Sequence, residues 1–161
     1  MWHGNGEIDL VLFSREENTC LVTELKSFIA PAEPREIINR SAEIAKGIMQ
    51  IKKRRENFHL KPDALTSTIG VPQNAAIYWA VISENSIGAN YVQDVTVPVV
   101  ARRHLAAELQ ATRSLKAVCE WLTTRKYLPQ PGTHFEEVAI DSMVGRFTVG
   151  WYGIRLHALG Q

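Results

Sequence analysis

The stretch VTELKSF, residues 22–28, holds a glutamate and a lysine one residue apart in a run otherwise suited to a buried strand. Side chains alternate across an extended chain, so Glu24 and Lys26 share a face. The preceding run, EIDLVLFS at 7–14, adds Glu7 and Asp9. If the two runs close symmetrically about REEN (15–18), Ser14 meets Thr19, Asp9 lies opposite Glu24, and Glu7 lies opposite Lys26. Facing carboxylates with Cβ atoms about 4.5–5.5 Å apart repel. A divalent cation between them removes the conflict, since Mg²⁺ takes one or two carboxylates together with waters and phosphate oxygens. A lysine one pleat further along can then reach an attacking water or a scissile phosphate. The plainer alternative is a solvated strand edge, where charges discourage aggregation. Against it, Val11, Phe13, Cys20 and Val22 on the same face are apolar, which sets the charges at the end of a core-facing row.

The elements that must hold these residues follow from periodicity. Runs 7–14 and 19–28 alternate and predict a β-hairpin. Pro31 and Pro34 end the second strand, and Ile37, Ser41, Ile44, Ile48 and Ile51 recur at helical spacing, which predicts a helix over 34–56. A polar connection runs to about residue 73, and AAIYWAVIS (75–83) is apolar enough for a strand covered on both faces. Strand, helix and buried strand make a right-handed crossover. VTVPVVA (95–101) predicts a short edge strand because of Pro98, residues 102–128 hold one or two helices, and a closing hairpin fills the segment from Phe135 onward. The fold class expected is α/β, a mixed β-sheet flanked by helices, in one domain over 1–161 with a motif core at 6–83 and helices and hairpin at 95–158.

Asp9, fourteen intervening residues, then Glu24-Leu25-Lys26, on a hairpin followed by a helix and a buried strand, resembles the PD-(D/E)xK nuclease superfamily with its restriction-endonuclease-like core. The preceding GEIDLV adds to the likeness, which spans residues 6–83. The resemblance implies a metal-dependent nuclease that hydrolyses phosphodiester bonds of nucleic acid, DNA by preference, with Mg²⁺ or Mn²⁺ as cofactor. Asp9 and Glu24 would be the metal-binding carboxylates, the Leu25 carbonyl a further ligand, and Lys26 the residue that orients the water and meets developing negative charge. RecB-like members also carry a glutamine on the following helix, and Gln50 stands in that place. The family core has a helix and a strand before the Asp-bearing strand, so those elements are expected from a longer chain or from a second subunit. The rival expectation is a catalytically incomplete nuclease-like module serving nucleic-acid binding or protein assembly.

The remaining features set limits. A net charge of +1 means that any basic surface is local. KKRR (52–55) and ARRH (101–104) are the densest basic stretches; Lys46, Lys53 and Arg54 are assigned to the same helix side as Gln50 and could track a phosphate backbone, with Arg35 and Arg40 as weaker candidates. Cys20 and Cys119 fit reduced core thiols, and the five histidines lack zinc-ligand spacing. Ser27, Ser41 and Ser83 have no nearby histidine to suggest an acyl-transfer triad, and GNG precedes a strand rather than a helix, so no phosphate loop is present. Trp79, Trp121, Trp151 and Tyr152 are assigned to core and sheet packing. No membrane span and no basic or apolar leader pattern is evident, so a cytoplasmic setting is expected.

Overall fold

The computed structural model describes residues 7–27, 34–84 and 96–156. The chain divides into two compact units, 1–125 and 126–161, where length alone suggests one domain. Phe28, Pro31, Val95 and the C-terminal end of the expected hairpin lie outside the described residues, as do the side chains of Arg35 and Ile37.

The first unit is a mixed four-stranded sheet of order β1-β2-β3-β4, with helices packed on it. Strands β1 (Leu10–Ser14) and β2 (Thr19–Lys26) pair antiparallel, from Leu10 opposite Thr23 to Ser14 opposite Thr19, which is the register the hairpin pattern predicts. The turn between them works because Asn18 takes a left-handed φ of 48°, a conformation asparagine tolerates. This turn also holds distant parts together. The Asn18 amide donates to the Asn74 carbonyl at 2.9 Å, and the Ala76 N–H donates to the Asn18 carbonyl at 2.9 Å.

Helix α1 (Pro34–Leu60) runs one turn further than its apolar repeat suggests, and α2 (Pro62–Ile69) occupies what reads as a polar connection. Pro62 at the first helical position starts α2, and Gly70 ends it at φ 69°, its N–H bonding to Thr66. Strand β3 (Ala76–Ser83) then pairs parallel to β2, as its unbroken apolar run requires. Strand β4 (Val99–Ala101) pairs parallel to β3 at the far edge, shortened because it begins just after Pro98.

Alternation along β2 divides the core. Cys20 and Val22 pack with Trp79 and Val81 of β3 and with Ile44, Ile48 and Ile51 of α1. The Phe58 ring lies 6.0 Å from Trp79 and closes this layer. Leu21, Ala80 and Ile82 point the other way and are buried too, as are Leu105 of α3 (Arg102–Thr112) and Val118, Cys119 and Leu122 of α4 (Leu115–Thr123). Truncating Ile51, fully buried, to alanine would cost about 2–5 kcal/mol. Both cysteines are free and buried, and burial pushes the Cys20 thiol up to about 11 and the Cys119 thiol up to about 12.

The second unit is a hairpin of β5 (Phe135–Val144) and β6 (Phe147–Leu156), paired throughout their length. Gly145 at φ 62° opens its two-residue loop, the position where a hairpin turn of the II′ type needs glycine. A two-stranded sheet cannot bury its side chains well, and Trp151 and Tyr152 are 53% and 83% exposed. The core role expected for these two aromatic residues is therefore corrected, while both do lie in a sheet.

Candidate active site

Glu24 and Lys26 lie at the C-terminal end of β2, on the face that α1 covers. Glu24 is 4% exposed, a depth at which an unpartnered carboxylate costs several kcal/mol, of order 3–5 when one partner of a pair is lost. Two cations meet it. Lys26 Nζ donates to Glu24 Oε1 at 2.8 Å, and the Arg54 guanidinium donates through Nη1 to Glu24 Oε2. Arg54 also donates through Nη2 to the Glu7 carbonyl, so one side chain ties α1 to β2 and to the segment that leads into β1. The repulsion expected around Glu24 is thus answered by the protein's own charges.

Lys26 has a second partner, Gln50 Oε1 on α1, at 3.2 Å. Alternation on β2 and the helical repeat on α1 bring the sequence's Glu24, Lys26 and Gln50 to one place. Helix and strand come close here because of Gly47: a Cβ on it would stand 2.9 Å from Lys26 Cε, 3.4 Å from Val81 Cγ1 and 3.5 Å from Glu24 Cγ. Beyond Lys26 an open recess of about 560 Å³ is lined by Lys26, Glu43, Ala45, Lys46, Met49 and Gln50.

Asp9 stands just before β1 and is exposed. Its Oδ2 accepts the Leu25 N–H at 2.8 Å, where a longer β1 would have offered a carbonyl. The β1–β2 pairing ends at Leu10 opposite Thr23, one pair short of Asp9 and Glu24. A strand residue presents its N–H and C=O to the same side. Since Leu25 N–H faces Asp9, the Leu25 carbonyl faces that side as well.

This donor set can be weighed against a magnesium-like ion. Among the described residues no cluster of three or more His, Cys, Asp and Glu side chains is gathered. Mg²⁺ needs fewer, one or two carboxylates, and fills its other positions with water and phosphate oxygen. The carboxylates of Asp9 and Glu24 and the Leu25 carbonyl are hard oxygen donors of that kind by chemistry, though both Glu24 oxygens are engaged by Lys26 and Arg54.

The basic residues separate. Lys46 and Lys53 are exposed, and Lys46 pairs with Glu43 one turn away. Arg54 is 2% exposed and belongs to the inward stripe with Ile51 and Gly47, three and seven residues before it. Its place on an outward face beside Lys46 and Lys53 is corrected: the stripe that buries Ile51 carries the next turn's Arg54 inward as well. Glu7 also differs from its expected pairing, since the Lys26 ammonium goes to Glu24 and Gln50 while Glu7 contributes its backbone carbonyl to Arg54. Gly47 is the site residue that the motif leaves unnamed, and Arg54 enters the sequence reading only as a phosphate-tracking candidate. A glycine in mid-helix, about 1 kcal/mol worse than alanine, is itself a sign of close approach.

Elsewhere, Glu17 in the β1–β2 turn caps α4. Its Oε1 accepts the Ser114 hydroxyl, and its Oε2 accepts the N–H groups of Leu115 at 2.8 Å and Lys116 at 3.1 Å. The Ser114 hydroxyl, outweighing desolvation and joined by those N–H groups, holds the Glu17 carboxyl below its ordinary range. At the C-terminal end of β3, Arg102 grips Glu84 with two hydrogen bonds of 2.8 and 2.7 Å.

Comparison with protein-family models, with curated proteins and with solved structures finds no match to this chain. Among the described residues no helix is long and apolar enough to cross a membrane.

Proposed function

We propose that this chain is a metal-dependent nuclease with a restriction-endonuclease-like core that hydrolyses phosphodiester bonds of nucleic acid, with DNA as the preferred substrate. The observation that carries the reading is the position of the Lys26 ammonium, held between Glu24 Oε1 and Gln50 Oε1 and opening onto the recess along α1. Hairpin, helix and parallel buried strand also follow in the order that the D…ExK resemblance requires.

A bound Mg²⁺ or Mn²⁺ would lower the pKa of a water and neutralise charge on the phosphoryl group. Asp9, Glu24 and the Leu25 carbonyl are the residues that would hold it. Lys26, aimed by its two acceptors, places a positive N–H donor where a phosphoryl oxygen gains charge in the transition state. Gln50 keeps the ammonium from collapsing fully onto Glu24. Lys46 and Lys53 line the outer side of α1, where exposed cations attract a phosphate backbone without reading its bases.

The second reading, a module that binds but does not cleave, is favoured by one observation: both oxygens of Glu24 are already paired with protein cations. Cleavage of single-stranded and duplex DNA in Mn²⁺ by wild type and by Lys26→Ala separates the two. Loss of about 10²–10³-fold in rate in the variant supports catalysis. Equal cleavage by both proteins, or none by either, sinks the nuclease assignment.

A further inference from the structure

Arg54 is a buried cation in the wall of the candidate metal site, and neither the D…ExK pattern nor its helix glutamine accounts for it. Its side chain is 2% exposed, and its Nε is buried without a hydrogen-bond partner, so the guanidinium sits there at a cost. What holds it is Glu24 Oε2 on one side and the Glu7 carbonyl on the other. Asp9, exposed across the hairpin, accepts the Leu25 N–H and pairs with no cation among the described residues. The two carboxylates are therefore unequal: Asp9 stands open to solvent, while Glu24 is held by a fixed positive charge.

We infer that Arg54 is an internal counter-ion that competes with a divalent cation for Glu24, and so sets the metal concentration at which the site fills. The inference rests on the metal-site reading above. Two physical effects lead to it. The ion pair lets α1, β2 and the segment before β1 come together around a charged Glu24 with no metal present. The same guanidinium then repels a second cation that approaches that carboxylate, and at low effective dielectric the repulsion is strong. Arg54 is thus a positioning residue, acting through Glu24 rather than on substrate.

The test is Mn²⁺ binding by calorimetry to metal-stripped protein, with the melting temperature followed in parallel in EDTA. Wild type is compared with Arg54→Gln, which removes the charge and keeps a donor, with Arg54→Lys, which keeps the charge, and with Asp9→Ala. The expected result is that Arg54→Gln melts lower than wild type in EDTA, binds Mn²⁺ about tenfold more tightly, and regains more of its melting temperature on adding Mn²⁺. Arg54→Lys stays within about twofold of wild type in Mn²⁺ affinity. A packing role alone would lower stability and leave the affinity order unmoved. Unchanged or weaker binding by Arg54→Gln, while wild type binds Mn²⁺ and Asp9→Ala does not, overturns this inference and leaves the metal site standing. Absence of binding in wild type and Arg54→Gln alike overturns both. Should Arg54→Gln be unfolded in EDTA, refolding by Mn²⁺ that fails in the Asp9→Ala/Arg54→Gln double variant supports the competition. Failure to refold overturns it.

Discussion

Gly47 of α1 lies against Lys26 of β2 so closely that a single methyl group on the helix would meet Lys26 Cε at 2.9 Å. The contact is with the flexible end of a side chain, so the lysine has to move while the backbone need not. Alanine is also the better helix former by about 1 kcal/mol. Gly47→Ala is therefore expected to leave stability within about 1 kcal/mol of wild type and to lower the cleavage rate about 100-fold by displacing the ammonium. Urea unfolding and a rate measurement on one preparation check both halves. Full activity in Gly47→Ala would show that the position of Lys26 is not critical.

Gln50 contributes one neutral acceptor to Lys26, at 3.2 Å. Losing it should release the ammonium toward Glu24 without uncovering any core. Gln50→Ala is expected to cost about tenfold in cleavage rate, the equivalent of one ordinary hydrogen bond, with an unchanged urea midpoint. A loss as large as that of Lys26→Ala would instead give Gln50 a direct part in the reaction.

Removing Glu24 strands two cations, one of them Arg54 in the core. Glu24→Ala is expected to destabilise the metal-free protein by about 3–5 kcal/mol, measured by denaturant unfolding. Asp9→Ala, at an exposed carboxylate, should change stability by no more than about 1 kcal/mol. For that reason the Asp9 variant, rather than Glu24→Ala, isolates chemistry from folding. Equal stability of Glu24→Ala and wild type would mean that the buried pair contributes nothing net.

The Glu17 cap sets a pH dependence. The folded carboxyl is held below its ordinary range, so its contribution is complete above the unfolded carboxylate pKa and is lost as pH falls through the lower folded value. Glu17→Gln should therefore melt below wild type at pH 7, and the gap should close in acid. Ser114→Ala, which deletes the hydroxyl that bonds Glu17 and the Ala117 N–H, is expected to cost about 1 kcal/mol at neutral pH. A melting gap for Glu17→Gln that persists undiminished in acid would assign it to packing.

The strand pairing of the first unit and the meeting of Glu24, Lys26 and Gln50 are legible in the sequence. The turn REEN fixes the hairpin register, so the pairing from Leu10–Thr23 to Ser14–Thr19 follows from counting. The helical repeat of Ile44, Ile48 and Ile51 fixes which side of α1 faces β2. The difficulties came where two rules conflict. Arg54 lies on the apolar stripe but is charged, so charge argues for solvent and periodicity for the core; in the fold periodicity wins because Glu24 supplies the partner. Helix α2 was hidden by Thr66 and Thr68, poor helix formers whose segment is nevertheless started by Pro62 and stopped by Gly70. Trp151 and Tyr152 suggested a core because aromatic residues usually have one, and sequence gives no sign that, among the described residues, their hairpin forms a two-stranded sheet.

The turn at 15–18 has a consequence for how the molecule assembles itself. Its own strands are adjacent in sequence, and such a hairpin can form within about 1–10 μs. The groups that Asn18 and Glu17 hold, Asn74, Ala76, Ser114 and Leu115, arrive from much further along the chain, and their capture has to wait on the closure of long loops. The hairpin is therefore expected to form ahead of those contacts, with Glu24 and Lys26 already on it. Gln50 and Arg54 come with the helix that lands on it afterwards, so damage to this turn would slow assembly of the site without touching any residue in it.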